Sequence, residues 1–278
     1  MKSKVQFIKA VFVLAAFVAL IAFPSSSSAN HSWGTYHWAR TSNPFTLKVG
    51  NNVNSNWASQ FNTAVSDWSA SSVMNLTAVA GTSNKRCSMV AGTVQVCNST
   101  YGQNGWLGLA SINITGGDHI TQGTAKMNDT YFNMSTYNNP NEKLHVMCQE
   151  VGHTFGLGHT SEDGSSQNTC MDYFSNTGAN ATSTLSTHPN QHDYDELASK
   201  YAHLDSTTTI SASTASIAAS EEVTNNPNSW GRLMSQSANG RSSTYEKEHS
   251  NGSRTITHVY WTEEAAEICH GCDHRFDH

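Results

Sequence analysis

Charge is scarce in this chain. Asp, Glu, Lys and Arg make up 13% of the 278 residues, and acids outnumber bases 21 to 15. That balance excludes the continuous basic face on which nucleic-acid binding depends. Long apolar runs are scarce too: after Phe23 no stretch approaches the ~20 residues that a helix needs to cross a bilayer. The surface expected from so much Asn, Ser, Thr and Gly is polar and uncharged, as in exported proteins.

The one strongly apolar segment lies at the start. Lys2, Lys4 and Lys9 precede a run from Ala10 to Phe23, and small residues follow up to Ala29. This is the layout of a secretory signal peptide over residues 1–29, and the run is too short for a membrane anchor. The expected mature protein is therefore secreted and extracellular, with no membrane span and no nucleic-acid partner, and is read as a monomer. Six cysteines in an exported chain imply disulfides. Proximity in sequence suggests Cys87 with Cys97, Cys148 with Cys170, and Cys269 with Cys272.

Residues 30–205 have the mixed periodicities and the size of one globular domain. Residues 206–254, rich in Ser, Thr and Ala, read as a linker or disordered tail. Residues 255–278 regain a strand-like run, TITHVYW, before ending in CHGCDHRFDH. There Cys269, His270, Cys272, His274 and His278 lack the second cysteine pair of a zinc module, so a local disulfide is the expectation. Within the domain, Trp57, Phe61, Ala64, Val65 and Trp68 recur at helical spacing. FTLKVG, MNLTAVA, WLGLASINIT and HITQGTAKMNDTYF read as strands. The fold class expected is α+β, with helices laid on a twisted mixed sheet.

A second helix is expected from Pro140 to Phe155. Asn139 is a good N-cap, Pro140 suits the first turn, and Glu142 can complete a capping box. Gln149 and His153 are four apart and share a face, Glu150 approaches from the side, and Gly156 lets the chain turn so that His159 returns to the same point. Such a trio can hold a metal ion and leave a position open for water.

Glu150, His153, Gly156 and His159 resemble the extended zinc motif of the metzincin metalloproteases in every position but the first, where Gln149 replaces a histidine. Met171, in TCMDY, resembles the methionine of that clan's Met-turn. The resemblance is closest to the matrixin-like branch and covers residues 31–205, with HDYDELASKYAHLD resembling its closing helix. It implies a metzincin-like α+β fold with an active-site helix, a Met-turn and a C-terminal helix. It also implies a Zn2+ cofactor held by His153, His159 and Gln149, and hydrolysis of extended polypeptide substrates. Zinc would acidify a water, Glu150 would take its proton as general base, and Tyr173 would stabilise the oxyanion. Substrate would pair with an edge strand placed at Leu107 to Ile114.

Gln149 leaves three readings open. Its amide oxygen binds the metal, or His145 enters the site one turn earlier, or the site is dead and the domain binds peptide without cleaving it. His145 is eight residues from His153, about 12 Å along the axis, which favours a supporting or surface role for it. His188 and His192 read as residues flanking the closing helix. A cysteine-bearing propeptide, common in matrixins, has no room between residue 29 and the domain. Either the enzyme is active on export, or the tail or a partner restrains it.

Overall fold

A computed structural model describes residues 31–82, 86–212 and 224–268. The expected signal segment, and the Cys269, His270, Cys272, His274 and His278 cluster, lie outside the described residues. The chain builds a mixed α/β fold, with one nine-stranded mixed sheet and five helices among the described residues.

Strand β1 (His37–Trp38) and strand β2 (Phe45–Asn52) precede helix α1 (Ala58–Trp68), then β3 (Met74–Ala80) and β4 (Thr93–Ser99). Strands β5 (Trp106–Thr115) and β6 (His119–Asn128) form a hairpin, followed by the single turn α2 (Asp129–Phe132), α3 (Pro140–His153) and α4 (Gln191–Lys200). The C-terminal part adds β7 (Arg232–Gln236), β8 (Ser242–Glu248), β9 (Arg254–Trp261) and α5 (Glu263–Ile268). The sheet runs β3-β2-β4-β6-β5-β9-β8-β7, with β1 on the end of β6. Pairings from β3 to β6 are parallel, and those from β6 through β5, β9 and β8 to β7 are antiparallel.

Alternation explains β2, whose Phe45, Leu47 and Val49 point inward while Thr46 and Lys48 face water. The same core takes Phe61, Ala64 and Trp68 from α1 and Val146, Met147 and Val151 from α3. The Trp68 indole donates to the Cys148 carbonyl at 3.0 Å, locking the two helices together. β5 is buried on both faces, so its residues do not alternate. Leu107, Ile112 and Ile114 belong to this helical core, and Trp106 and Leu109 to a second cluster with Trp230, Tyr245, Val259, Trp261 and Ala265.

That second cluster corrects two expectations. The segment read as linker or tail over residues 206–254 contributes β7 and β8 to the sheet, and the run beyond it is β9. Low apolar density misled the reading, because an antiparallel strand needs only a few large side chains on one face. Trp230, Tyr245 and Trp261 supply them. The strand expected at an edge is β5, and it is paired on both sides, with β6 and with β9.

Two smaller corrections concern α3. It ends at His153, two residues early, and its predicted capping box is half made: the Asn139 side chain accepts from the Glu142 N–H at 2.8 Å. The Glu142 carboxylate instead accepts from Asn176 N–H at 2.6 Å, while the cap amide donates to the Tyr137 carbonyl. A full capping box opens α4, between Asn190 and Asp193.

Candidate metal centre

α3 carries Gln149, Glu150 and His153 into the interior, where all three are fully buried. Gly156, at φ +84°, turns the chain beside the Tyr36 carbonyl, where a Cβ would collide. His159 then lies edge-on to His153, with ring centres 4.6 Å apart. Each imidazole is held by its far nitrogen. His153 Nδ1 meets the Leu157 carbonyl at 2.8 Å, and His159 Nδ1 meets the Tyr173 hydroxyl at 2.6 Å. Trp33 stacks flat on His153 at 4.8 Å.

The near nitrogens, His153 Nε2 and His159 Nε2, are buried without a hydrogen-bond partner among the described residues. Bare buried acceptors cost of order 1–3 kcal/mol each, and an ion removes that cost. The donor set suits zinc: imidazoles whose other nitrogen is anchored, as second-shell bonds fix ligand tautomers. Burial, and then the neighbouring imidazoles, push both histidines well below their ordinary pKa, so they are neutral and able to ligate.

Gln149 is turned by the loop after it. Its amide nitrogen donates to the carbonyls of Cys170 and Asp172, at 3.0 and 2.8 Å, on either side of Met171. Two acceptors on one side fix the amide's orientation, and its oxygen is left buried and unpaired. The Cys148–Cys170 disulfide and the buried Met171 hold that loop under α3, and the second disulfide joins Cys87 to Cys97.

The residue that sequence reasoning missed is His258, on β9. Its ring centre lies 3.9 Å from that of His153 and 4.7 Å from that of His159, and the three form a group able to hold a metal ion. His258 Nδ1 lies 3.3 Å from the Glu150 carboxylate, and its Nε2 lies 2.9 Å from the Ser242 hydroxyl. The register is what delivers it: β9 pairs with β5 so that His258 faces Ala110, two residues from Gly108, where a Cβ would run into the Glu150 carboxylate. The only signal in the sequence was a histidine inside TITHVYW.

Burial raises the pKa of Glu150 well above the ordinary carboxylate range, against the opposing pull of His145 and the Ala110 amide. Tyr173, expected at the oxyanion, has its hydroxyl 2.6 Å from His159 Nδ1. His145 is not at the surface. It is buried, bonds the Ser186 carbonyl at 2.6 Å and stands 5.8 Å from the Tyr260 ring. His188 pairs with Asp67, and His192 stacks on His31 in a further group with Asp193.

A cavity of about 360 Å³ opens beside His159 and Tyr173, walled by Trp33 and by Ser237, Ser242 and Glu246 from the C-terminal strands. Among the described residues no helix is long and apolar enough to cross a membrane. No family model matches this chain, and neither does any curated protein sequence.

Proposed function

We propose that this chain is a secreted zinc-dependent endopeptidase held latent by its own C-terminal strands. The observation that carries the proposal is the pair of bare, inward-facing nitrogens on His153 and His159, one helical step from a buried carboxyl at Glu150. His153, His159 and His258 would hold the ion in the closed chain, and the free oxygen of Gln149 is the donor left in reserve when His258 withdraws. Zinc supplies a Lewis acid that acidifies water and polarises a carbonyl.

The protein's own groups do the rest. Glu150 would take the proton of the attacking water and pass it to the leaving amide nitrogen. In the closed chain that carboxylate faces His258. Tyr173 fixes the His159 ring, and the Cys148–Cys170 bond keeps α3 registered on the Met171 loop. β9 lies antiparallel along β5, in the place where an extended polypeptide would add itself as a strand. One element thus covers both the substrate strand and the catalytic carboxyl.

One observation favours a second reading, in which the closed form is permanent and the domain binds without cleaving. Trp230, Tyr245 and Trp261 are almost wholly buried, so β9 is anchored by a core of its own. The test is metal content and casein hydrolysis on the mature chain, before and after cutting at a protease site placed within residues 213–223. Zinc retained and cleavage gained on cutting, with the cleavage but not the zinc lost in Glu150→Ala, supports the latent enzyme. Zinc bound with no cleavage before or after release of the tail supports the second reading.

A further inference from the structure

Among the described residues, only Trp33 lies flat against a ring of the metal centre. Its indole and the His153 imidazole are 2° from parallel with centres 4.8 Å apart, whereas Tyr173 meets His159 at 37°. The same indole stands 5.9 Å from the His258 ring, tilted at 45°. Trp33 belongs to a short N-terminal segment, residues 31–36, far in sequence from the helix that carries His153.

Backbone bonds hold that segment in place. Ser32 forms an antiparallel bridge with Leu157, the Trp33 N–H donates to the Gly156 carbonyl at 2.8 Å, and the Gly158 N–H donates to the His31 carbonyl. A Cβ at Gly158 would press on the His31 carbonyl and come within 3.5 Å of the Trp33 ring, so the turn admits the segment only because a glycine stands there. On the other side, Lys200 Nζ of α4 donates to the carbonyls of Gly34 and Tyr36, at 3.1 and 3.2 Å. The segment is thus fastened to the turn that joins His153 to His159, and to α4. None of these bonds involves the C-terminal strands, so withdrawal of β9 leaves the indole on His153.

The stack complements the hydrogen bond at the far nitrogen. The Leu157 carbonyl, 2.8 Å from Nδ1, fixes the tautomer. The indole blocks rotation of the ring out of its plane. Its face is also electron-rich. An imidazole that shares its Nε2 lone pair with a cation takes on part of the positive charge, and a parallel stack then gains a cation–π component that the bare ring lacks. An interaction stronger in the loaded state than in the empty one raises affinity for the ion. Tryptophan serves best in this role, phenylalanine less well, and an aliphatic side chain not at all.

We infer that Trp33 is a positioning residue of the metal centre, holding the plane of His153 and stabilising that ring when it carries an ion. The inference rests on the metal site of the proposed function and adds to it a residue from outside the segment that supplies Gln149, Glu150, His153 and His159.

The test uses the full mature chain, stripped of metal and titrated with zinc against a competing chelator, as the native protein, Trp33→Phe and Trp33→Leu. Trp33 is only partly buried, so the variants keep the core. Zinc affinity should fall by about 10–100-fold in Trp33→Leu, the usual cost of losing an outer partner of a ligand, with Trp33→Phe between the two. Urea melts of the metal-free proteins read packing alone, and there the Phe and Leu forms should lie together. Cobalt bound in place of zinc should quench tryptophan emission, and by less in Trp33→Phe, which lacks the indole against His153. Native affinity in Trp33→Leu would overturn the inference, as would affinities that follow the metal-free stabilities step for step. A native chain that takes up no zinc would sink the metal centre itself, and the role of Trp33 with it.

Discussion

Helix α3 and strand β9 meet at one point, yet they reach it by opposite routes. α3 delivers Gln149, Glu150 and His153 by local geometry, in which four residues make roughly a turn and the spacing alone places the side chains together. β9 delivers His258 by long-range pairing, to a carboxylate 108 residues earlier in the chain. Helical sites can be read from spacing, whereas a strand's contribution depends on which partner it finds. On the proposed function the comparison also separates two roles, in which α3 would hold the chemistry and β9 would decide who reaches it.

The sharpest way to break that division is to remove the carboxyl. Glu150→Ala in the chain cut within residues 213–223 should lower casein cleavage by about 10²–10⁴-fold, the usual value of a positioned general base. Zinc content should not change. Cleavage that persisted would place the chemistry outside α3.

The next test weakens β9 without touching a ligand. Trp261 is fully buried in the C-terminal cluster, its indole donating to the Ser243 hydroxyl at 2.9 Å. Trp261→Ala should cost about 3–5 kcal/mol, read as a fall in thermal midpoint. If β9 is a cover over a standing domain, cleavage by the uncut chain should rise as that stability falls. A domain that unfolds as one unit with no gain in cleavage would make α3 and β9 parts of a single permanent core.

What was legible in the sequence follows the same line. The N-cap at Asn139, the faces of α1 and α3, the turn at Gly156 and the inward residues of β2 depend on neighbours within a few positions, and pattern was enough to find them. β4 escaped notice because Gln95 interrupts the apolar residues of TVQVCNS, and the sheet buries that side chain through bonds to Thr93 and Asn52 that no local rule foresees. His258 needed the sheet order itself. The hydroxyl of Tyr173 was assigned to the oxyanion because its partner, His159 Nδ1, was invisible until the loop was folded.

A smaller effect measures how far α3 depends on its loop. The Cys148–Cys170 bond closes a segment with a sequence separation of 22, a loop whose constraint contributes about 3 kcal/mol on the chain-entropy account. Replacing both cysteines with serine should lower the unfolding free energy read from urea melts by that amount. It should also weaken zinc binding, since Gln149 is oriented by the Cys170 and Asp172 carbonyls. A lower midpoint with unaltered zinc affinity would show that the bond serves the fold alone.

The smallest effect concerns acid, and two groups beside α4 oppose each other there. Burial lowers the pKa of His31 to about 4, from an ordinary value of 6.5, and raises that of Asp193 to about 6, from 3.8. Between pH 6.5 and 4 the unfolded chain binds more protons at His31, so its contribution to stability is lost as pH falls. Between pH 6 and 4 the folded chain binds more protons at Asp193, so that contribution grows as pH falls. In the native chain the two slopes largely cancel. His31→Gln removes one of them, and its urea midpoint, relative to that of the native chain, should therefore climb between pH 6 and pH 4. A difference that stayed flat across that range would mean that neither burial term governs the join between α4 and the N-terminal segment, and that the closing helix is held by its Asn190 cap and by Leu197 and Tyr201 in the core.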